Sequence, residues 1–281
     1  MTVGIIGPGR AGLGLALALR RGGVRVLGVH GRRRKTVPRG LRLSVGGLPP
    51  WLGDVDVVLL AVRDDALPAL VRSLARAPWR RGQVVLHLSG ALTHRVLAPL
   101  RRAGVRVASW HPLMAVSADP RKAALHFRGA TFAVEGETAA VRAGERLARA
   151  LGGRPMRLPA AAKVRYHAGA VFASNYLVVM LAEAEALLVA AGIPRRRARE
   201  ALLPLALVSL ENVWESGPIA ALTGPVRRGD EATVRRHLAA LGPKARALYT
   251  AAGLAAAELA GEAGLPPATV RRMLTLLRGV S

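Results

Sequence analysis

Short apolar segments alternate with segments of helical periodicity along the first half of the chain. The apolar runs are rich in aliphatic residues and end at glycine or polar turns, which is typical of buried strands. The predicted strands are Val3–Ile6, Val24–Val29, Asp56–Val62, Val84–Leu88, Val105–Ser109 and Thr131–Val134. The predicted helices are Leu13–Leu19, Leu67–Leu74, Leu92–Leu100 and Ala139–Leu151. This alternation predicts right-handed βαβ units and a parallel sheet that is covered on both faces.

The pattern changes near residues 152–155, and beyond Pro159 the chain is rich in Ala and Leu. This part predicts helices that are separated by glycine and proline. The breaks fall at residues 192–194, 216–218, 224–225, 242–243 and 265–267. We therefore predict an α/β domain over residues 1–153, followed by an all-α domain over residues 154–281.

The first helix of the predicted second domain, Ala160–Ala191, is apolar on several of its faces. A helix of this kind is buried either in a bundle or in a subunit interface. Because closed homodimers are the commonest oligomers, the helix favours a homodimer.

Composition excludes several classes of protein. Hydrophobic residues make up 51% of the chain, which excludes disorder, and cysteine is absent. The absence of cysteine excludes a disulfide scaffold, a thiolate zinc site and a cysteine nucleophile, and we expect no metal. No uninterrupted apolar run reaches the length of a membrane helix, and the first strand has no basic leader before it. We expect a cytoplasmic protein without a membrane partner.

The chain is strongly basic, with 42 Lys and Arg against 17 Asp and Glu and a net charge of +25. The arginines are spread along the whole chain, aromatic residues are only 4%, and no recognition helix or stacking motif is present. We interpret the charge as compositional bias and expect no specific nucleic-acid partner. A nucleic-acid binder stays open as an alternative, and the basic surface favours anionic ligands.

A glycine-rich turn, G-x-G-x-x-G, follows the first strand and opens the first helix. In this context the glycines allow a tight turn, close approach of a pyrophosphate and close helix packing. The helix N-terminus would then receive the pyrophosphate. The residues of this predicted cofactor site are Gly7, Pro8, Gly9, Arg10, Ala11 and Gly12. The motif makes the first domain a Rossmann dinucleotide-binding domain.

The end of the second strand indicates which dinucleotide is bound. An NAD enzyme places a carboxylate there for the ribose 2′-hydroxyl, but this chain has His30 followed by basic residues. Arg32 and Arg33 fit a 2′-phosphate, so NADP(H) is the predicted cofactor; a solvated basic loop is the alternative. Val62 and Arg63, at the end of the next long strand, should also line the cofactor. Of the two aspartates that follow, Asp65 is predicted to cap the next helix.

Two further strand ends carry polar residues in apolar surroundings. Ser89 and His111 should lie near the nicotinamide end of the crevice, because both follow strands of one sheet. Reduction of a carbonyl or imine needs a proton donor, and histidine is the usual choice. The alternative for His111 is a core histidine before a proline turn.

Polar residues also occur within the apolar helix and in a later turn. His167, Ser174 and Asn175 either face a site or join packed helices, because buried polar groups need partners. Thr223 and Arg228 lie in a glycine-rich turn that could hold an anionic substrate or simply connect two helices.

With these residues assembled, the chain resembles the Rossmann-like NADP oxidoreductases with a C-terminal helical domain of unknown function. These are relatives of pyrroline-5-carboxylate reductase, prephenate dehydrogenase and 6-phosphogluconate dehydrogenase. The matching stretches are Gly7–Gly12, His87–Leu92, Trp110–Met114, Tyr166–Tyr176 and Ala221–Asp230. The resemblance implies NADP(H) on the first domain, a helical second domain with dimer contacts, and an active site in the cleft between them.

The resemblance also limits which residue roles can be transferred. The Ser89 and His111 stretches are similar to segments that surround substrate in prephenate dehydrogenases, but Leu113-Met114-Ala115 lacks the usual glycine. The helix of His167 is similar in placement to the Lys-x-x-x-Asn helix of β-hydroxyacid dehydrogenases and ketopantoate reductases. Lys163 would need asparagine four residues later and has His167, so the catalytic lysine is not transferred.

The sequence therefore predicts an NADPH-dependent reductase of a small carbonyl or imine compound, with an anionic substrate such as a keto acid, ketopantoate included. His111 or His167 would donate the proton. Ser89, Ser174 and Asn175 would hold the substrate, because positioned donors stabilise a developing alkoxide. A non-catalytic NADP-binding sensor or regulator is the alternative from a different class.

Overall fold

The computed structural model describes residues 1–279. The chain forms two compact units, Met1–Asn175 and the residues from Tyr176 onward. The predicted boundary at residue 153 stays a prediction; the first compact unit continues past it to Asn175.

The first unit is built on one mixed sheet. Within the described residues its strands are β1 (Thr2–Ile6), β2 (Arg25–Gly31), β3 (Leu43–Val45), β4 (Val57–Leu60), β5 (Val84–His87), β6 (Arg106–Leu113), β7 (Thr131–Gly136) and β8 (Arg154–Arg157). The strand order is β3-β2-β1-β4-β5-β6-β7-β8. The order from β3 to β6 is that of a doubly wound Rossmann sheet, which confirms the predicted α/β class.

The prediction of a purely parallel sheet is wrong at one edge. β7 pairs antiparallel with β6, and β8 then runs parallel to β7. β6 also extends to Leu113, so His111 lies within a strand rather than after one. The pairing with β7 is the physical reason, because it places Ala133 opposite His111 and carries the ladder past the predicted end at Ser109.

Helices cover both faces of this sheet. The helices of the first unit are α1 (Arg10–Arg21), α2 (Leu67–Leu74), α3 (Ala98–Arg101), α4 (Pro120–His126), α5 (Thr138–Ala150) and α6 (Lys163–Val171). The predicted helix Leu92–Leu100 is instead a 3-10 turn at His94–Leu97 followed by the short α3. One core cluster includes Leu59 and Trp110 with residues of α1 and α5, and a second includes Val58 with residues of α2. Successive residues of β4 thus enter opposite cores, as a strand buried on both faces requires.

The second unit is helical. Its described helices are α7 (Leu177–Ala190), α8 (Arg195–Ala221), α9 (Gly224–Arg228), α10 (Glu231–Ala240), α11 (Pro243–Glu262) and α12 (Pro267–Arg278). The predicted breaks at residues 192–194, 224–225, 242–243 and 265–267 separate these helices. The break at residues 216–218 is a kink inside α8, where Gly217 has φ 78°. A small core joins α10, α11 and α12 through Val234, Ala257 and Met273.

The long apolar helix has an exposed surface. Ala160–Ala190 has the length and mean hydropathy of a membrane span, and 6% of its most apolar window is buried. Of the two predicted environments, burial within a bundle of the same chain is therefore wrong for the described residues. A single helix of this kind does not indicate a membrane protein, because helices at subunit interfaces have the same composition.

Candidate active site

The glycine turn between β1 and α1 has the geometry of a phosphate cradle. Gly7 has φ 116°, a conformation that favours glycine, and its N–H donates to the carbonyl of His30 at 2.8 Å. A Cβ at Gly12 would collide with the carbonyl oxygen of Gly7, whereas a Cβ at Gly9 would meet nothing within 4 Å. The first and third glycines therefore serve packing, and the second leaves open space at the start of α1.

The start of α1 can accept an anion. Its N-cap, Gly9, provides no side-chain cap, and no acidic residue lies in the first turn. The first N–H groups of a helix have no partner within the helix, so an anion at this end gains hydrogen bonds and a favourable dipole. The cradle thus fits the pyrophosphate of a dinucleotide.

Basic side chains follow β2. Arg32 and Arg33 are exposed. None of the ion pairs found among residues 1–279 uses either guanidinium. His30 is buried, its Nδ1 lies 3.0 Å from the Ser44 hydroxyl, and burial lowers its pKa. The arginines at the end of this strand are therefore available to a phosphate.

The predicted helix cap at Asp65 is wrong. Residue 66 is the N-cap of α2, and α2 has no side-chain cap. Asp65 pairs with Arg63 instead, at 2.9 Å between exposed groups. The helix begins one residue too late for the Asp65 carboxylate to reach the free N–H groups as an N-cap.

Ser89 is the centre of a hydrogen-bonded network after β5. Its hydroxyl donates to Asp64 Oδ2 at 2.7 Å and accepts from the N–H of Leu92 at 2.9 Å. Its own N–H donates to His87 Nδ1 at 3.2 Å, and its carbonyl accepts from Lys163 Nζ at 2.9 Å. The Ser89 hydroxyl therefore uses its single hydrogen in the bond to Asp64. One lone pair of its oxygen is left for a further hydrogen bond.

Lys163 places a positive charge inside the first unit. Its side chain is fully buried. Burial lowers its pKa to about 8, although the carboxylates of Glu135 and Asp64 act in the opposite direction. Glu135 lies on β7 and binds both the N–H and Nδ1 of His94 at 2.6 Å. The antiparallel β7 therefore supplies one of the carboxylates that stabilise this lysine.

Two histidines face one glycine beside this network. A Cβ on Gly90 would lie 2.9 Å from Nε2 of His111 and 2.9 Å from Nε2 of His167. The two imidazole rings meet edge to face, with centroids 5.9 Å apart. Glycine at position 90 is what leaves both nitrogens room over the backbone.

Tyr166 completes the cluster from α6. Its hydroxyl lies 2.8 Å from Nδ1 of His111. Burial raises the pKa of Tyr166 to about 12. Burial, then the charge of Lys163, then His167 lower the pKa of His111 to about 4. Around neutral pH, His111 is therefore an uncharged imidazole beside a protonated phenol.

The structure brings together some of the predicted site residues. Ser89, His111 and His167 meet around residues 89–90, within the unit that carries the glycine turn. Ser174 and Asn175 lie on a π-helical turn, Phe172–Tyr176, and neither side chain hydrogen-bonds to this cluster among the described residues. Thr223 and Arg228 line a pocket of about 600 Å³ in the second unit.

Sequence reasoning did not assign Gly90, Glu135, Lys163 or Tyr166 to the site. Tyr166 had a usable signal, because it is adjacent to His167 in an apolar helix and needs a hydrogen-bond partner when buried. Glu135 had none, since its position depends on the antiparallel pairing of β7. Within the described residues no group of three His, Asp or Glu side chains is arranged to hold a metal.

Comparison with known proteins assigns both parts of the chain. Residues 1–112 match the family model of a Rossmann-like domain, and residues 130–256 match a domain of unknown function, DUF2520. The two matches follow one another along the chain, which confirms the resemblance drawn from its motifs. No curated protein matches the chain by sequence.

Solved structures share the fold at low sequence identity. A candidate NADP oxidoreductase from Bacteroides fragilis is 21% identical, with TM-score 0.68, over 99% of this chain and 97% of that one. Pyrroline carboxylate reductase from Plasmodium falciparum, with NADP bound, is 12% identical, with TM-score 0.62, over 98% of each chain. An NADH-preferring ketol-acid reductoisomerase from an uncultured archaeon is 17% identical, with TM-score 0.62, over 100% of this chain and 94% of that one.

Proposed function

We propose that this protein is an NADPH-dependent oxidoreductase that reduces a small carbonyl or imine compound carrying a carboxylate. The observation that carries the proposal is the convergence of two imidazole Nε2 atoms over Gly90, in the unit that holds the dinucleotide cradle. Two nitrogen donors at one point suit a substrate oxygen or nitrogen that gains electron density during reduction.

The cofactor would be held by this chain at two places. The N–H groups at residues 9–12 would bind the pyrophosphate, and Arg32 and Arg33 would bind the 2′-phosphate. Val62 and Arg63 would line the cofactor, as the sequence predicts. The similar structures include both an NADP complex and an NADH-preferring enzyme, so the fold alone leaves the choice open. The two free arginines and the absent carboxylate favour NADPH.

NADPH, when bound, supplies the hydride that reduces the C=O or C=N carbon. The former π electron pair then becomes a lone pair on the substrate oxygen or nitrogen, which takes up a proton. His111 or His167, in its protonated form, would give that proton and become neutral. His111 would first have to take up a proton, because its lowered pKa keeps it neutral around neutral pH. The Ser89 hydroxyl donates its hydrogen to Asp64, so toward a substrate its oxygen could only accept a hydrogen bond. It would therefore bind a substrate N–H or O–H.

A carboxylate in the substrate is favoured by charge. The net charge of +25 attracts anions, and Arg228 and Thr223 stay the predicted substrate contacts. Two of the similar structures are named for small carboxylates, a pyrroline carboxylate and a ketol-acid. Keto acids, ketopantoate among them, and cyclic imine carboxylates are therefore the first substrates to test.

The test is a screen of these two substrate classes for oxidation of NADPH. Removing a general acid lowers rates by a factor of roughly 100 to 10,000. We expect a fall of about 100-fold for His111→Gln or His167→Gln, and no change for the exposed His126→Gln. Turnover that survives both substitutions would contradict the proposed site.

A sensor or regulator of the NADP redox state is the second candidate. It is favoured by the closed hydrogen bonding of Ser89, which resembles a structural turn rather than a reactive group. NADPH binding without oxidation by any compound in the screen would support the sensor over the enzyme.

We further propose that the protein is a cytoplasmic homodimer. Exposed apolar side chains on α7 and α8 include Val178, Leu205, Leu207 and Trp214, the last 85% exposed. Large apolar side chains exposed along two helices favour a dimer interface, because extended apolar surface is unusual on a monomer. A second copy of the chain would cover it.

A further inference from the structure

The two ring nitrogens of His111 have different environments. Nδ1 lies 2.8 Å from the Tyr166 hydroxyl, whereas Nε2 faces Gly90 and the ring of His167. Tyr166 and His167 are neighbours on α6, and both rings contact His111 edge to face, with ring centroids 5.6 and 5.9 Å away. The position of the single proton on a neutral His111 therefore decides what the ring presents toward Gly90.

Two arrangements of that proton are chemically possible. If Nδ1 carries the proton, it donates to the tyrosine oxygen, and Nε2 is a bare acceptor. If the tyrosine donates to Nδ1, the proton of His111 is on Nε2. A phenol is a better hydrogen-bond donor than acceptor. Burial raises the pKa of Tyr166 to about 12, so this phenol is protonated around neutral pH.

We propose that Tyr166 is a positioning residue whose hydroxyl donates to Nδ1 of His111 and so keeps the imidazole proton on Nε2, facing Gly90 and His167. This inference rests on the proposed reductase function only for its use in catalysis. There, His111 holds the substrate oxygen or nitrogen by a hydrogen bond and stays neutral. The proton that the substrate atom takes up is then assigned to His167, the second imidazole whose Nε2 faces Gly90.

The groups around His111 support this division of roles. Burial contributes most to keeping His111 uncharged, and Lys163 from α6 and then the imidazole of His167 act in the same direction. His87 of β5 is a further neighbour whose own pKa burial lowers to about 3, so it adds no charge at neutral pH. A neutral imidazole is a sound hydrogen-bond donor but a poor source of a full proton.

The chain contains a matched control for this pair. In the second unit the Tyr249 hydroxyl lies 2.9 Å from Nδ1 of His237, with ring centroids 5.7 Å apart at 89°. The corresponding angle between His111 and Tyr166 is 86°. Tyr249→Phe therefore removes an equivalent hydroxyl away from the cluster at Gly90.

The test is long-range proton–nitrogen NMR of the full-length protein, labelled with ¹⁵N-histidine and free of any ligand. His111→Gln assigns the His111 signals by their loss. For the unaltered protein at neutral pH, we expect His111 to show a protonated Nε2 and a bare Nδ1. In Tyr166→Phe we expect mixed tautomers and a higher pKa for His111, because the neutral form loses its hydrogen bond.

Three outcomes would overturn the inference. They are a protonated Nδ1 in the unaltered protein, an unchanged His111 in Tyr166→Phe, and an equal change of His111 in Tyr249→Phe. The unaltered spectrum decides the tautomer even if Tyr166→Phe does not fold. Because the experiment uses neither NADPH nor substrate, failure of the reductase proposal would show separately, as absent turnover in the substrate screen.

Discussion

The two units each contain a tyrosine hydrogen-bonded to Nδ1 of a histidine, and the two pairs have nearly the same geometry. The oxygen–nitrogen distance is 2.8 Å for Tyr166 and His111 and 2.9 Å for Tyr249 and His237. Their surroundings differ. His111 lies beside a second imidazole, a glycine that leaves it room and a buried lysine, whereas His237 is exposed on α10. The pair is therefore a common structural contact, and its surroundings make it a candidate site.

The two units also differ in what they leave exposed. The first unit buries polar groups such as His87, Ser89 and Lys163 and satisfies most of them internally. The second leaves large apolar side chains on α7 and α8 in contact with solvent. This difference is the basis for our proposals that the first unit holds the reacting histidines and that the second provides the surface for association.

The prediction with the largest expected effect concerns dimer formation through the second unit. Leu205 on α8 is 65% exposed, and Leu125 on α4 of the first unit is a matched control at 64%. An arginine buried in an interface leaves an unpaired charge, so we expect Leu205→Arg to raise the dimer dissociation constant by about 100-fold or more. Analytical ultracentrifugation would measure it. The prediction would be contradicted if Leu125→Arg raised the dimer dissociation constant as much as Leu205→Arg does. It would also be contradicted if the unaltered protein were a monomer.

A second prediction tests the space beside His111. A Cβ at Gly90 would contact both imidazoles within 2.9 Å, so Gly90→Ala must displace at least one of them. We expect a fall of about 100-fold in NADPH oxidation with the best compound of the screen, because small misplacements of catalytic groups have effects of this size.

Gly169→Ala is the control for that substitution. A Cβ at Gly169, on α6, would meet nothing within 4 Å. We expect unchanged turnover and a gain of about 0.5–1 kcal/mol in the free energy of unfolding from helix propensity. Full activity of Gly90→Ala would show that the two histidines do not act at Gly90.

The smallest effect is on stability against acid. Burial lowers the pKa of His87 to about 3, so between that value and 6.5 the unfolded chain binds a proton that the folded one does not. Stability therefore rises with pH through this window, by at most about 1.4 kcal/mol per pH unit for each such group. His111, with its pKa lowered to about 4, acts in the same direction.

Denaturant unfolding at several pH values would measure this slope. His87→Asn retains an acceptor for the Ser89 N–H and removes the titration. We expect its slope between pH 4 and 6 to be smaller by about 1 kcal/mol per pH unit. The exposed His126→Asn should leave the slope unchanged, and the same slope in all three proteins would contradict the buried neutral state of His87.

The fold was largely predictable because its signals are local. Strand-forming runs, the glycine turn and the proline breaks each lie within a few residues. In the second unit α8, α9, α11 and α12 begin at predicted breaks, whereas α7 and α10 do not. The reversal of β7 was not predictable, because an antiparallel partner for β6 depends on tertiary packing rather than on periodicity. The candidate site was predictable as single residues such as His111 and His167. Their contacts with Tyr166 and Gly90 were not predictable. His111 and Tyr166, for example, are 55 positions apart in the sequence, and no local pattern indicates a contact over that separation.

The central claim is that the first unit binds NADPH for reduction, and calorimetric titration of NADPH and NADH tests it most directly. The account predicts tight binding of NADPH and weaker binding of NADH. In the double variant Arg32→Ala/Arg33→Ala we expect the preference for NADPH to be lost. The dissociation constant of NADPH should rise by roughly 10- to 100-fold, because two charged hydrogen-bonding groups are removed. Arg39→Ala, which replaces an exposed arginine outside the predicted phosphate site, should bind as the unaltered protein does. If neither nucleotide binds better than millimolar, the glycine cradle does not hold a dinucleotide, and the reductase account is contradicted.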